Sequence, residues 1–571
     1  MTRIAVDPIT RIEGHLRIEA QVEHGVVTDA WSSSTMFRGM EIVLKGRDPR
    51  DAWLFAQRIC GVCTTVHALA SVRAVEDALD IEVPANAQLI RNIIAGTQWV
   101  QDHVIHFYHL HALDWVDVVS ALKADPRETS RLATSISPWP KSSTDYFRGV
   151  QGKLSKLAES GADLGLFANG YWGHPAYKLP PAVNLLAVAH YLEALEWQRE
   201  VIKVQAILGA KNPHPQTYLV GGMAIPVDPT SQVAINDHRL AEQLRLIRLA
   251  KTFVEQVYIP DLLAIGAAYK DWAKHGASAG NYLCYGDFPS GNSRDPSSFW
   301  IPRGIIVNGD LSHVVPFDER RVGEDVAHAW FTYSDSDAVP KHPLDGQTNP
   351  KYTGPKPPYQ TLPTDEKYSW VKAPRYDKMP MEVGPLARLL VGYASGHKQI
   401  RSAVDTTCHA LGVGIPALSS TLGRIVARGI ETQLMVDKVL QWHDDLVANV
   451  GSGDLRVHNG TRWDPATWPA TAAGWGAHEG PRGSLGHWIR IKDRAIENYQ
   501  CVVPTTWNAS PRDAAGIRGP YETALLGTPV ADPQRPLEIL RTIHSFDPCM
   551  ACAVHVTGPD GSVAVTVERS V

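Results

Sequence analysis

The first thirty residues alternate in polarity, with Leu16, Ile18, Ala20 and Val22 on one side of the chain and His15, Arg17, Glu19 and Gln21 on the other. A period of two is that of a half-buried strand, and the His24-Gly25 pair followed by another apolar stretch predicts a β-hairpin. Asp48-Pro49-Arg50-Asp51 supplies a capping side chain, a proline at the first helical position and an acid in the first turn, so a helix should run to about Gln57 and deliver Cys60 from its end. Thr64 to Leu79 reads as a second helix. Long helical patterns follow at about Asn86 to Ala124, Pro181 to Ala210, Asp237 to Trp272, Gly384 to Ala410 and Leu418 to Val450, the makings of a helical bundle. Between about Ala277 and Pro380 the chain turns to Pro, Gly, Asp and Ser with scattered aromatics. This predicts a long irregular excursion rather than a linker, because Trp300, Trp330 and Trp370 need something to pack on. A second irregular stretch is expected from about Gly451 to Pro481, and no internal repeat is present. The expected fold class is α+β, predominantly helical, with a central bundle of long helices, an N-terminal β-hairpin and long irregular excursions.

Composition narrows the function classes. With 571 residues, 44% of them hydrophobic and 20% charged, the chain can bury a large core, which excludes disorder. A net charge of −5 with no Lys/Arg-rich run gives no electrostatic case for nucleic acid or an anionic membrane surface. No apolar stretch reaches the roughly 18 to 20 residues a membrane span requires, and Met1 to Pro8 has no signal-peptide core. Alone, the chain is expected to stay in the cytoplasm. It has no Gly-rich phosphate loop and no nucleophile elbow.

The seven cysteines change the picture, because four of them form two Cys-x-x-Cys pairs at opposite ends: Arg58-Ile59-Cys60-Gly61-Val62-Cys63 and Asp547-Pro548-Cys549-Met550-Ala551-Cys552. Four thiolates meeting at one point make a soft site that selects nickel, iron, zinc or copper(I). A structural zinc is the common fate of paired Cys-x-x-Cys motifs, but such sites staple short segments, and here almost the whole chain intervenes. On spacing alone a functional metal centre, a structural zinc and a redox dithiol all stand. Ends that meet at one site argue against independent N- and C-terminal domains, so residues 1–571 are read as one large domain. Cys284, Cys408 and Cys501 occur singly and are expected to be buried small hydrophobes. An iron-sulfur cluster takes four cysteines, so once the pairs are used this chain cannot build one, and electrons must leave through another protein. His103, His106, His109 and His111 crowd one helix without carboxylate or cysteine support, so packing and hydrogen bonding are their expected use.

The flanks of both pairs resemble the large subunit of nickel-iron hydrogenases. Arg58-Ile59-Cys60-Gly61-Val62-Cys63-Thr64-Thr65-Val66-His67 and Asp547-Pro548-Cys549-Met550-Ala551-Cys552-Ala553-Val554-His555 match the family's two cysteine motifs. Further matches are Asp7-Pro8-Ile9-Thr10-Arg11-Ile12-Glu13-Gly14-His15, the helix bearing Asp102, Gly384-Pro385, Pro481-Arg482-Gly483 and Val502-Val503-Pro504-Thr505-Thr506-Trp507. The resemblance covers essentially the full length and is nearest to the respiratory, membrane-associated uptake enzymes. It implies that the fold is that of this large subunit. Cys60 and Cys549 are then terminal nickel ligands, and Cys63 and Cys552 bridge nickel to an iron that carries carbon monoxide and cyanide. Formal counting leaves such a centre at about −2, and the resemblance places Arg482 over it, with Pro504 and Thr505 also against the bound cofactor. Asp102 and Asp547 match carboxylates that hold this arginine, and Asp547 is also placed to cap a helix before Pro548.

Splitting dihydrogen needs a hydride acceptor, which the resemblance assigns to the metals, and a base, for which the Cys549 thiolate and the Arg482 guanidine both stand. Glu13 matches the glutamate that receives the proton near Cys549. Glu41, His555 and the main-chain carbonyl of Cys501 match ligands of a magnesium-type ion, although an imidazole is unusual for magnesium and suits a second iron or zinc. His67 is placed to orient the first motif's cysteines by a hydrogen bond. Implied partners are an iron-sulfur small subunit, in a heterodimer or higher assembly, a membrane cytochrome or quinone-reducing subunit, a maturation protease and nickel chaperones. The implied location is peripheral at the membrane, on its outer face if exported with the small subunit and otherwise cytoplasmic. Residues 556–571, a strand, a Pro559-Asp560-Gly561 turn and a second strand, are an ordinary terminal hairpin or a removable extension that keeps the second pair accessible until nickel is inserted. Two further readings are a catalytically silent, quinone-linked electron-transport subunit of the same fold, against which the retention of all four cysteines argues, and a structural zinc protein.

Overall fold

The apolar periodicity resolves into helices that include α1 (Val66–Ala78), α2 (Ala85–Ile105), α3 (Pro181–Gly209), α4 (Asp237–Phe253) and α5 (Thr421–Gly451). The computed structural model describes residues 2–553 apart from 38, 161–163, 169, 292, 338 and 355–360. Helix α2 packs between α3 and α5, and α4 lies against α3 and α5. Helix starts follow local chemistry. Proline at the first position opens α3; Asn236 accepts the Arg239 amide at 3.0 Å for α4, and Ser420 accepts that of Gly423 at 2.9 Å for α5. One buried apolar cluster extends from Val6 to Cys552, and among the described residues no helix is long and apolar enough to cross a membrane.

The long helical patterns are interrupted for identifiable reasons. The segment expected from Asn86 to Ala124 stays α-helical to Ile105, then opens into a π-turn at His106–His111 and a 3-10 turn at Ala112–Asp114. There His106 Nε2 donates to the His544 carbonyl at 2.6 Å and His111 Nε2 to that of Arg541 at 3.1 Å, so imidazoles satisfy the carbonyls of the neighbouring helix Leu537–His544. The Asp237–Trp272 pattern breaks into α4, a π-turn at Val254–Tyr258 and the helix Ile259–Ala268, whose second residue, Pro260, has no N–H to give and crowds the preceding turn. The Gly384–Ala410 pattern divides at Gly396 into Pro385–Ala394 and Lys398–Leu411.

The sheets are small. The expected N-terminal hairpin is present as β2 (Leu16–Glu23) and β3 (Val26–Ser34), with β1 (Thr2–Val6) added antiparallel along β2. The 277–380 excursion consists of short antiparallel strand pairs and turns, in which Trp330 and Trp370 are buried and meet edge to face at 5.4 Å. The second irregular stretch is overturned in its latter part: Thr471–Gly480 is β4, the first strand of a three-stranded antiparallel meander completed by β5 (Gly483–Lys492) and β6 (Ala495–Val502). Its face pattern is small against large rather than apolar against polar. Gly474 and Gly476 point at α1, which lies so close that a Cβ on Gly476 would stand 2.0 Å from the Ala70 carbonyl oxygen and 2.3 Å from the Ala74 amide nitrogen.

That contact gives a direct test, since helix α1 begins three residues after Cys63. Gly476→Val forces backbone apart and is expected to cost about 1–3 kcal/mol or more, read as a lower thermal unfolding midpoint. A midpoint equal to that of the parent would mean that helix and strand are not in contact here.

Candidate metal centre

Both cysteine pairs are presented by turns that the local sequence dictates. A 3-10 turn at Gln57–Ile59 leads into Cys60 in extended conformation, and the amide of Cys63 folds back to donate to Cys60 Sγ at 3.2 Å. The second pair arrives against the N-terminal loop. The Met550 amide donates to the Glu13 carbonyl at 2.8 Å, and the Glu13 amide to the Pro548 carbonyl at 3.4 Å, a parallel bridge between the two ends of the chain. Gly14, at φ 81°, permits the approach, because a Cβ there would sit 2.7 Å from the Ala551 nitrogen. The four sulfurs consequently meet. Cys60 lies 3.4 Å from Cys549; Cys63 lies 3.8 Å from Cys549 and 3.1 Å from Cys552; Cys549 and Cys552 are 3.0 Å apart. A metal–sulfur bond of about 2.3 Å places the sulfurs of a tetrahedron about 3.8 Å apart, so the set has the dimensions of a thiolate metal site.

The electrostatics ask for a cation. All four side chains are buried, and all seven cysteines are free thiols. Burial opposes the charge of Cys60, but hydrogen bonds from Cys549, Cys552 and Cys63, with the Arg482 charge, hold it well below the usual thiol range. Burial pushes Cys63 up to about 11, and burial with mutual repulsion pushes Cys549 and Cys552 well up. Ionising the whole set therefore needs positive charge among the sulfurs, and a soft metal ion matches this donor set. Although the sulfurs are enclosed, the Gly61-Val62 dipeptide between the first pair is exposed, Val62 by 41%.

Arg482, Pro504 and Thr505 line the same cavity as Cys63, Cys549 and Cys552. Arg482 Nη1 donates to Asp102 at 3.1 Å and Nη2 to Asp547 at 3.0 Å. Burial opposes the guanidinium charge, yet Asp547, Cys549 and Asp102 hold Arg482 well above its ordinary range. Burial pushes Asp102 up to about 7 against the pull of Arg482. The expected capping role of Asp547 is overturned: its Oδ1 accepts from Arg482, its buried Oδ2 has no hydrogen-bond partner among the described residues, and the following helix starts only at Met550. The Thr505 hydroxyl accepts the Cys549 amide at 3.1 Å.

Glu13 stands beside the second pair as expected, not on a solvated strand edge. Its Oε2 accepts from the Ala551 amide at 2.8 Å and lies 3.3 Å from Cys549 Sγ. Burial, reinforced by the Cys60 charge, pushes Glu13 up to about 7. Glu41 and Cys501 also meet, the Cys501 amide donating to Glu41 Oε1 at 2.9 Å. His555 lies outside the described residues, as does the 556–571 segment. The helix-borne histidines hydrogen-bond as expected: besides His106 and His111, His103 lies 3.2 Å from Glu431, and His109 donates to the Tyr191 carbonyl at 3.1 Å.

Several residues at the site escaped the sequence reading. Arg388 pairs with Glu431 at 2.7 Å and Glu479 at 2.9 Å and donates to the carbonyls of Gly480 and Pro481, clamping the turn that carries Arg482. Its signal was a lone charge in the apolar run Leu386-Ala387-Arg388-Leu389-Leu390. Gln98, one helical turn before Asp102, donates to that carboxylate at 2.5 Å and to the Val62 carbonyl at 3.1 Å. Asp114 ties the N-terminal loop to the C-terminal segment by pairing with Arg11 and with His544, the latter at 2.6 Å. Lys372 joins the Glu41 neighbourhood, 2.7 Å from Glu324 and 3.5 Å from Glu41. It comes from the irregular excursion, where no periodicity marks a buried cation.

Residues 38–555 match the family model described as "Nickel-dependent hydrogenase". The "Uptake hydrogenase large subunit" of Rhizobium leguminosarum bv. viciae is 52% identical over 581 aligned residues, covering 99% of this chain and 97% of the relative. The "Hydrogenase-1 large chain" of Escherichia coli (strain K12) is 51% identical at the same coverage. Among solved structures, the Ni-Fe-Se hydrogenase from D. vulgaris Hildenborough in its as-isolated oxidized state superposes with a TM-score of 0.76 at 34% identity, covering 97% of this chain and 100% of that one. A reduced, active form of the Ni-Fe-Se hydrogenase from Desulfomicrobium baculatum gives 0.74 at the same identity and coverage. Likeness of this depth over nearly the whole chain shows the family: the chain belongs to the nickel-dependent hydrogenase large-subunit family and is an oxidoreductase acting on dihydrogen.

Proposed function

We propose that this chain is the catalytic large subunit of an uptake hydrogenase, cleaving dihydrogen heterolytically at a nickel-iron centre held by Cys60, Cys63, Cys549 and Cys552. The observation that carries the reading is the convergence of four buried sulfurs under Arg482 and beside Glu13. Cys60 and Cys549 would hold nickel, and Cys63 and Cys552 would hold nickel together with an iron carrying carbonyl and cyanide ligands. When bound, the metals supply the electron-accepting partner for the cleavage. Arg482 sets a fixed positive charge against the centre, with Asp102 and Asp547 holding its orientation; Pro504 and Thr505 close the cavity around the small ligands. Of the two bases the sequence offered, Cys549 takes the proton first, because Arg482 is held in its charged form. Glu13, 3.3 Å from Cys549 Sγ and with an affinity for protons near neutrality, then receives it and passes it outward. Glu41, the Cys501 carbonyl and His555 would hold a magnesium or second iron; the buried Glu324 Oε1, which has no hydrogen-bond partner among the described residues, would offer a further oxygen. We read residues 1–571 as one catalytic domain, because its two ends build one site.

Electrons pass to an iron-sulfur small subunit and from there to a membrane cytochrome or quinone-reducing subunit, which places this chain peripherally at the membrane. The exposed Gly61-Val62 dipeptide beside two of the ligands supports an exit on that face. The family match ends at His555, which supports the reading that residues 556–571 are removed by a maturation protease after nickel chaperones have loaded the site.

Metal analysis with infrared spectroscopy tests the centre: nickel, iron, and carbonyl and cyanide bands are expected, and zinc alone would overturn it. Cys60→Ser and Cys549→Ser should each lose nickel and hydrogen oxidation together, because a neutral hydroxyl is a poor ligand for a soft metal. Glu13→Gln keeps the shape but carries no proton, so turnover should fall about 100-fold or more with the infrared bands near those of the parent; loss of the bands would make Glu13 structural. Intact mass of active protein should correspond to a chain ending at His555. An active, nickel-loaded chain ending at Val571 would refute the processing step.

A further inference from the structure

Gln98 joins two parts of the site that the proposed reaction treats separately, the turn between Cys60 and Cys63 and the carboxylate that holds Arg482. It sits on α2 one turn before Asp102, and both side chains are buried, with exposures of 1% and 2%. A single atom makes both contacts. Gln98 Nε2 donates to Asp102 Oδ1 at 2.5 Å and to the Val62 carbonyl at 3.1 Å, while Asp102 Oδ2 accepts from Arg482 Nη1 at 3.1 Å. A carbonyl and a carboxylate can only accept, so the neighbours dictate which way the amide faces: nitrogen towards them, Oε1 away. Oε1 is then left buried with no hydrogen-bond partner among the described residues, a destabilising arrangement that a side chain serving only to fill space would not need.

The Val62 carbonyl belongs to the same peptide unit as the Cys63 N–H, which donates to Cys60 Sγ at 3.2 Å. In a trans peptide these two groups point in opposite directions, so Gln98 grips one side of the plane and the Cys60 sulfur receives the other. The grip orients the N–H and, by drawing on the carbonyl, polarises it. Val62 is 41% exposed, so packing of its own side chain does little to hold this plane. Two hydrogens on one uncharged nitrogen are what the position demands. Leucine offers none, and glutamate offers one when protonated.

We propose that Gln98 is a positioning residue that acts in two directions: it turns the Val62–Cys63 peptide so that its N–H faces the Cys60 sulfur, and it holds Asp102 so that the other carboxylate oxygen faces Arg482. The inference rests on the nickel-iron reading of the sulfur set, in which Cys60 would hold nickel. A hydrogen bond to a ligating sulfur weakens its donation to the metal, so losing that bond lowers the reduction potential of the metal.

The test is redox titration of the nickel signal in electron paramagnetic resonance, with infrared spectroscopy, on nickel-loaded holoenzyme of two variants. Gln98→Leu removes both contacts. Its nickel midpoint should move to a more negative potential, its cyanide bands should shift as Arg482 loses its fixed place, and hydrogen oxidation should fall about 10-fold. Gln98→Glu shares a proton with Asp102 across the short contact, which restores a donor to that carboxylate and none to the Val62 carbonyl. Its midpoint should therefore move as in Gln98→Leu while its cyanide bands stay at the parent position. A parent midpoint in loaded Gln98→Leu would overturn the inference. So would a midpoint that moves in Gln98→Leu and not in Gln98→Glu, since the effect would then run through Asp102 alone. Loss of nickel from both variants would make Gln98 a packing element and overturn it as well; if only Gln98→Leu fails to load, the midpoint of Gln98→Glu decides. Absence of nickel and of carbonyl and cyanide bands from the parent protein would instead refute the metal-centre reading itself.

Discussion

Negative charge gathered where water cannot reach it is the constraint on which the rest of the site depends. A lone buried charge costs far more than a fold can spare, so it must be paired or neutralised. Around the sulfurs this is done in layers. Arg482 stands against them and is itself flanked by Asp102 and Asp547; Arg388 stands behind the Arg482 turn, flanked by Glu431 and Glu479. Alternation of sign places each charge next to its opposite and leaves the sulfur set short of positive charge, which is the condition for binding metal rather than protons.

The layering also explains why the enclosing elements are rigid. Truncating one partner of a buried pair typically costs about 3–5 kcal/mol, because the other is stranded. The turn carrying Arg482 is fixed through Arg388 to α5, and the segment carrying Asp547 is fixed through the His544 ring to Asp114 and through the Ser545 carbonyl to Arg428. Secondary structure near the centre is thereby subordinated to side-chain geometry, as the π-turn at His106–His111 illustrates.

Much of this was legible in the sequence, for a physical reason. Paired cysteines, their charged neighbours and the tight loops that present them are short motifs whose residue types are dictated by chemistry, so that Cys60, Cys63, Cys549, Cys552, Arg482, Glu13 and Asp102 would share one site could be read at once. The long helices were legible because each buries a continuous stripe. What escaped was set by tertiary contact. Strand β4 has glycines where a helix presses on it, so its alternation is of size and not of polarity. Lys372 reaches Glu41 from a segment with no period at all, and the π-turn at His106–His111 answers to carbonyls on a distant helix. The expected cap at Asp547 failed because the nearby guanidinium is a stronger partner than a helix amide.

The parallel bridge between Glu13 and Cys549 has a consequence for the order of events in the cell. Glu13 and Cys549 are separated by 536 residues, and chains are synthesised from the N-terminus. Cys60 and Cys63 therefore leave the ribosome long before their partners exist, and the loop they must close spans nearly the entire polypeptide. The entropy of closing so long a loop grows only slowly with its length, so once the final helix emerges the site can form. Until then two of the four cysteines are reduced thiols in a half-made protein, and metal captured by them alone would lack half of the sulfur set. Loading must wait for the end of translation.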